Sequence, residues 1–135
     1  MPVKLEQLSI RTSAREEIVN ITDQVQRVVA AAGIRAGMAC VYSPHTTAAI
    51  TIQESADPDV RADILDHLRQ LVPARGGYRH REGNADAHIK AALLGASQAV
   101  PVRDGRLLLG TWQAVFFCEL DGPRGRHVLV ALHGE

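Results

Sequence analysis

The sequence predicts a single α+β domain of mostly antiparallel strands with about three accessory helices, and three observations carry that prediction. Short apolar runs with strand-like alternation are interleaved with three segments of helical periodicity. No repeat, low-complexity tract or Pro/Gly/Ser-rich linker divides the 135 residues, so residues 1–135 read as one unit. The last two apolar runs are hydrophobic on both alternating faces, which calls for a layer above and a layer below. A two-sheet sandwich with helices outside, or burial of one face in an oligomer, meets that requirement.

Taken in order, Val3, Leu5, Leu8 and Ile10 mark an opening strand, and residues 18–21 a second. Thr22 offers an N-cap to a helix through Ala32, which Gly33 stops. Residues 38–42 and 48–53 read as strands joined by Ser43-Pro44-His45-Thr46-Thr47, a connection short enough for a hairpin with His45 at its bend. Asp57 then supplies an N-cap and Pro58 a first helical residue, while Val60, Ile64, Leu68 and Leu71 form an apolar stripe that Pro73 closes. After a Gly- and Arg-rich loop at residues 74–83, Asn84 caps a short helix. Its apolar face carries Ala85, Ile89, Ala92 and Leu93, its other side an Asp86/Lys90 pair four residues apart, and Gly95 ends it. Residues 99–103 and 106–109 flank Asp104-Gly105, a type I′ hairpin signal. Trp112, Ala114, Phe116 and Cys118 then alternate with Val115 and Phe117, and Val128, Val130 and Leu132 with Leu129 and Ala131.

Composition narrows the function classes. Hydrophobic residues supply 46% and charged residues 22%, enough for a core and far from the composition of a disordered chain. Fifteen basic against fifteen acidic residues give zero formal charge, which argues against the broad cationic surface of a nucleic-acid binder. No segment approaches the ~20 apolar residues of a membrane span, and no apolar run follows Lys4, so the expectation is a cytoplasmic protein with no membrane partner. Cys40 and Cys118 sit in apolar strands without metal-ligand spacing and read as buried free thiols.

Chemistry concentrates in three clusters: Ser43-Pro44-His45-Thr46-Thr47; His80-Arg81-Glu82-Gly83-Asn84-Ala85-Asp86-Ala87-His88; and Gly110-Thr111-Trp112-Gln113 running on to Glu119 and Asp121-Gly122-Pro123-Arg124. With Gln53-Glu54-Ser55-Ala56-Asp57-Pro58-Asp59-Val60 and the closing His133-Gly134-Glu135, in this order, the chain resembles the secondary thiamine-phosphate synthase family, which has the YjbQ-like fold. That resemblance implies a β-sandwich with accessory helices, assembled as a homotrimer. It also implies a weak activity joining hydroxymethylpyrimidine diphosphate to a thiazole phosphate with release of diphosphate. Gln53-Glu54-Ser55 departs from relatives that often carry asparagine around the glutamate, which opens the question of substrate preference.

His45 is the leading candidate, as general base or metal ligand, because a histidine beside proline and two hydroxyl residues on a tight bend is poorly placed for core packing. His80 and His88 lack the fixed spacing of an HExxH site. With His45 they make a candidate three-histidine zinc site with one position open, while Asn84, Asp86 and Glu54 are alternative hydrogen-bond partners for the same rings. Glu54, Gln113 and Glu119 complete the candidate catalytic set; for Glu119 a structural or interface network is the equal alternative, since a buried carboxylate needs partners. Thr46, Thr47, Asn84, Asp86, Trp112 and Arg124 are candidate contacts to substrate or phosphate, Arg124 by a bidentate guanidinium and Trp112 as a wall for a flat ring or as packing. Arg79 and Arg81 precede the N-terminus of the short helix and favour an anion there. His67 reads as a partly buried structural residue, and His127 and His133 as secondary candidates.

The leading expectation is therefore an enzyme acting on a small phosphorylated molecule, with zinc at the histidines or magnesium arriving with a diphosphate. The absence of a Walker loop or a DDxxD-like run leaves a dedicated synthase open. A metal-assisted phosphoester hydrolase and a non-catalytic metal- or anion-binding trimer are the alternatives.

Overall fold

Alternation in the two C-terminal strands sets the architecture. In β7 (Gln113–Glu119) every residue from Ala114 onward is buried, and in β8 (Gly125–Gly134) Arg126, Val128, Val130, Leu132 and Gly134 are buried in strict alternation. β7 therefore has cover on both faces and β8 on one. The computed structural model describes residues 3–135. Preceding these two strands are β1 (Val3–Arg11), β2 (Glu17–Asn20), α1 (Thr22–Ala32), β3 (Ala36–Tyr42), β4 (Ala48–Glu54), α2 (Pro58–Leu71), α3 (Ala85–Leu94), β5 (Ser97–Arg103) and β6 (Arg106–Leu107).

The strands form two antiparallel sheets, one ordered β1-β8-β3-β5-β6 and the other β2-β7-β4. Val41, Val100, Val128 and Val130 from the first sheet, Ile50, Val115 and Phe117 from the second, and Val25 and Val29 from α1 make one core. The expected α+β class with three helices is present. Ala114, Phe116 and Cys118 point away from that core, where the Arg61 guanidinium of α2 lies 5.3 Å above the Phe116 ring. A smaller cluster of Ala87, Ala91 and Leu120 ties α3 to the end of β7. Cys118 is fully buried and Cys40 half-buried, both as free thiols.

Backbone details follow local chemistry. Asp104 and Gly105 both have positive φ (54° and 74°) and close the predicted β5–β6 hairpin, whose second strand is shorter than expected. Asp57 caps α2 by accepting from the Asp59 N–H at 2.9 Å, with Pro58 at the first helical position. Gly37 and Gly134 are register partners of β3 and β8, and a side chain on either would collide with the other strand, 2.0 Å from His133 O or 2.2 Å from Ala36 O.

Several expectations are corrected. Residues 43–47 do not close a hairpin, because β3 pairs with β5 and β8 while β4 pairs with β7; the segment crosses from one sheet to the other. Thr22 is the first helical residue, not the cap: its N–H is taken by the Asn20 carboxamide at 3.0 Å, and its hydroxyl accepts from Val115 N–H. Asn84 precedes α3 without capping it through its side chain, and that helix is rotated from the predicted orientation. Asp86 and Lys90 are buried, whereas Ile89, Ala92 and Leu93 are exposed. Burial of those charges is tolerated because Lys90 Nζ lies 2.9 Å from both Asp86 and Glu16, and Arg15 reaches Asp86 at 3.2 Å. His67 is exposed on α2, and Trp112 stands outside β7 with 63% of its surface exposed, so neither packs in the core.

Among the described residues, no helix is long and apolar enough to cross a membrane. The outer face of the five-stranded sheet is uncovered: Leu5 and Cys40 flank Ala131, Met38 adjoins His133 and Tyr42 adjoins Leu129, with Leu5 63% and Tyr42 43% exposed.

Candidate functional site

The crossover that carries His45 is fixed at both ends. Ser43 N–H donates to Ala96 O at 2.8 Å, and its hydroxyl turns the chain through longer contacts to Ala48 O and His45 N–H. At the other end, Thr47 Oγ1 accepts from Arg126 Nη2 at 2.9 Å and Thr47 O accepts from Leu120 N–H. The bend between them projects His45 toward β8. There its Nε2 accepts the backbone N–H of His127 at 2.9 Å, and the two rings stack at 6.3 Å between centroids with 16° between planes. The β3–β8 ladder ends at Tyr42 and Leu129, so the imidazole occupies the place where a continuing β3 would have accepted that N–H.

With Nε2 engaged as acceptor, the neutral ring carries its proton on Nδ1. Burial first, and then the positive charge of Arg126, hold His45 below the ordinary histidine range, so the neutral form dominates near pH 7.

Beneath the bend lies a closed polar network. Glu119, fully buried, receives Arg126 Nε at 2.9 and 3.1 Å, Arg126 Nη2, the Thr12 hydroxyl at 2.7 Å and the Asp121 N–H at 3.1 Å. Burial alone would raise its pKa, but these donors outweigh it and hold the carboxylate below its ordinary value. Glu119 thus meets the structural alternative: its oxygens are occupied by the fold.

His88 projects from α3 into the same cavity as His45. A space of about 350 Å³ is lined by His45, Thr46 and His88 over a floor of Ala91, Ala92 and Gly95. His80 meets His88 edge-on at 5.3 Å between centroids, and on their side a second space of about 520 Å³ is lined by Tyr78, Arg79, His80, His88 and Ile89. The three predicted histidines are thereby linked through His88. Among the described residues, however, no group of three or more His, Cys, Asp or Glu is arranged to hold a metal ion, and the Nε2 of His45 already has a partner. The donors of a single chain therefore do not fit a three-histidine zinc set.

The other candidates separate from this cavity. Glu54 and Gln113 are register partners at one end of the β4–β7 ladder, and Ala48 and Glu119 at the other, about 20 Å away at the usual strand rise. At that far end Glu54 accepts from Asp57 N–H at the start of α2, Gln113 accepts from Gly110 N–H, and Trp112 offers its carbonyl to Ser55. Asp86 is held by Lys90 and Arg15. Asn84 Nδ2 and Arg124 both donate to Asp121, at 2.9 and 3.0 Å, which ties the turn before β8 to the start of α3. Thr47 serves Arg126, and Thr46 alone of the two threonines lines the cavity.

Sequence reasoning missed Arg126 and Thr12, and ranked His127, whose backbone N–H holds His45, only as a secondary candidate. The signal for Arg126 was present: it shares the inward alternation of Val128, Val130 and Leu132, which assigns a charged residue to the core and demands a partner.

The protein-family model described as UPF0047 protein YjbQ-like matches residues 6–135. A UPF0047 protein of Methanocaldococcus jannaschii is 48% identical over 126 residues, covering 93% of this chain and 91% of that protein. The UPF0047 protein YugU of Bacillus subtilis is 47% identical over 131 residues, covering 96% and 99%. Among solved structures, a YjbQ/UPF0047 family protein of Clostridium acetobutylicum superposes with a TM-score of 0.93 at 48% identity, covering 95% of this chain and 99% of that one. A protein of Sulfolobus solfataricus gives a TM-score of 0.95 at 37% identity, with 99% of both chains covered. Sequence and fold thus agree, and the chain belongs to the YjbQ/UPF0047 family.

Proposed function

We propose that this protein is a small-molecule enzyme with secondary thiamine-phosphate synthase activity, working as a cytoplasmic homotrimer. The observation that carries the reading is the meeting of His45 and His88, from a sheet crossover and a helix, across one cavity floored by small residues. In the proposed reaction the thiazole nitrogen lone pair forms the new C–N bond to the pyrimidine methylene carbon. The C–O electrons of that carbon leave with diphosphate. His45, neutral with Nδ1–H as its donor, orients the heterocycle, and Arg79 in the adjoining cavity stabilises the leaving group; magnesium bound to the diphosphate would add its charge to the same task.

Support for a trimer comes from the uncovered outer face of the five-stranded sheet, where Val3 and Leu5 are 67% and 63% exposed. Copies of the chain covering that face would bury it.

Incubating the purified protein with hydroxymethylpyrimidine diphosphate, thiazole phosphate and magnesium, and reading thiamine phosphate by conversion to its fluorescent oxidation product, tests the activity. Product formation that His45→Ala abolishes, with the trimer intact by light scattering, supports the reading. Loss of assembly in that variant assigns His45 to the fold instead. No product from the wild type sinks the synthase reading.

A further inference from the structure

We infer that the site is bipartite and takes a phosphorylated heterocycle laid across His88, its ring in the alanine-floored chamber beside His45 and its phosphate in the chamber of Arg79 and His80. This rests on the reading of a heterocyclic phosphate ester as substrate, and assigns each half of that molecule a place.

Both cavities are lined by His88, so they adjoin at its ring. Their chemistries differ. No Asp, Glu, Lys or Arg lines the chamber beside His45; Ala91, Ala92 and Ala96 with Gly95 make a floor of small residues. Gly95 has φ of 95° and open space where a side chain would stand, so a planar group can approach the backbone there. A neutral His45 adds one donor to this chamber and no cation for a phosphate.

The second chamber supplies that cation. Arg79 forms no hydrogen bond or ion pair among the described residues, although the neighbouring Tyr78 is fixed by its hydroxyl donating to Pro73 O. An unpaired guanidinium beside an imidazole matches phosphate or diphosphate oxygens. No Asp or Glu lines either chamber; Asp86, the acidic residue at the start of α3, is turned inward onto Lys90 and Arg15. A phosphate is therefore attracted to the Arg79 side alone, and the ring is left to the alanine side.

Two probes separate the halves: inorganic diphosphate, and unphosphorylated hydroxymethylpyrimidine, each titrated calorimetrically into wild type, Arg79→Ala and Ala92→Phe. Both substituted positions are exposed, and circular dichroism with size-exclusion chromatography verifies fold and assembly. Arg79→Ala is expected to weaken diphosphate about tenfold while leaving the pyrimidine unchanged, Arg79→Lys to recover part of the loss, and Ala92→Phe to weaken the pyrimidine alone. Equal loss of both probes in either variant, unchanged diphosphate binding in Arg79→Ala, or failure of either probe to bind the wild type overturns the division. If thiamine phosphate is formed but the probes do not divide, the two-chamber inference falls and the synthase reading stands. If the probes divide and no thiamine phosphate forms, the chambers stand and another heterocyclic ester is the substrate.

Discussion

Replacing Arg126 by leucine removes the guanidinium that joins β8 to Glu119 and Thr47, and the structure sets the size of the loss. Four contacts at 2.9–3.3 Å disappear, two to Glu119 and two to Thr47, together with the Nη2 contact to Glu119. Glu119 keeps the Thr12 hydroxyl and the Asp121 N–H but has lost its counter-charge in a fully buried position. Breaking a buried pair from one side costs about 3–5 kcal/mol. For 135 residues at the usual unfolding entropy, that corresponds to a drop of about 10–18 °C in Tm. Thermal unfolding by circular dichroism at fixed protein concentration measures it. The double variant Arg126→Leu/Glu119→Leu should recover much of the loss by removing the stranded carboxylate. A fall below about 1 kcal/mol in the single variant, or a double variant less stable than the single, would refute the account of Glu119 as a paired, structural carboxylate. The pH dependence has a defined sign. Glu119 titrates below its ordinary value of 4.5 in the folded state, so its contribution is complete above that value and disappears as pH falls through the folded pKa.

Three further outcomes test separate parts of the structure. Lys90→Met strands Asp86 and Glu16 against each other, with only the arginines left to compensate; a loss of about 3–5 kcal/mol and faster amide exchange along α3 are expected, and unchanged exchange would contradict the role of Lys90 as the anchor of that helix. For His45, whose folded pKa lies below its ordinary 6.5, stability is retained above that value and lost as pH falls through the folded pKa, because burial and then the charge of Arg126 disfavour the protonated ring; NMR titration showing a pKa above 6.5 would refute this. Burial pushes the Cys118 thiol up to about 12, so near pH 8 a thiol reagent should modify Cys40 and leave Cys118 intact until the protein unfolds.

Strand and helix existence was legible in the sequence wherever punctuation and periodicity agreed, as at Asp57-Pro58 and Asp104-Gly105. Partner choice was not. The segment 43–47 has hairpin length, yet the core between the sheets draws β4 toward β7, and nothing local encodes that. α3 illustrates a second limit: ranking Ile89, Ala92 and Leu93 as the inward face assumes that charges stay in water, and Asp86 and Lys90 escape the assumption because Arg15 and Glu16, some 70 residues earlier, neutralise them. The candidate site was legible at its histidines, which the fold brings into linked cavities. Glu54, Gln113 and Trp112 were drawn in by nearness to motifs, and the β4–β7 register carries them to the opposite end of the sheet.

The placement of His45 depends on one strand doing two things at adjacent positions. Arg126 points into the core and fixes Thr47, the end of the bend, while His127 offers its backbone N–H to the imidazole at the bend's centre. Side chains alternate along a strand, so a shift of β8 by one residue would send Arg126 outward, strand Glu119 and present a different N–H to His45. Register at this end is therefore as much a determinant of the site as the histidines are. It is held from the far end: Gly37 and Gly134 face each other at a separation no side chain fits, so any slip that brought another residue opposite either glycine would drive a Cβ into backbone. Two glycines without chemistry of their own thus hold the ladder whose other end positions His45, and a search for functional residues confined to polar groups would pass over them.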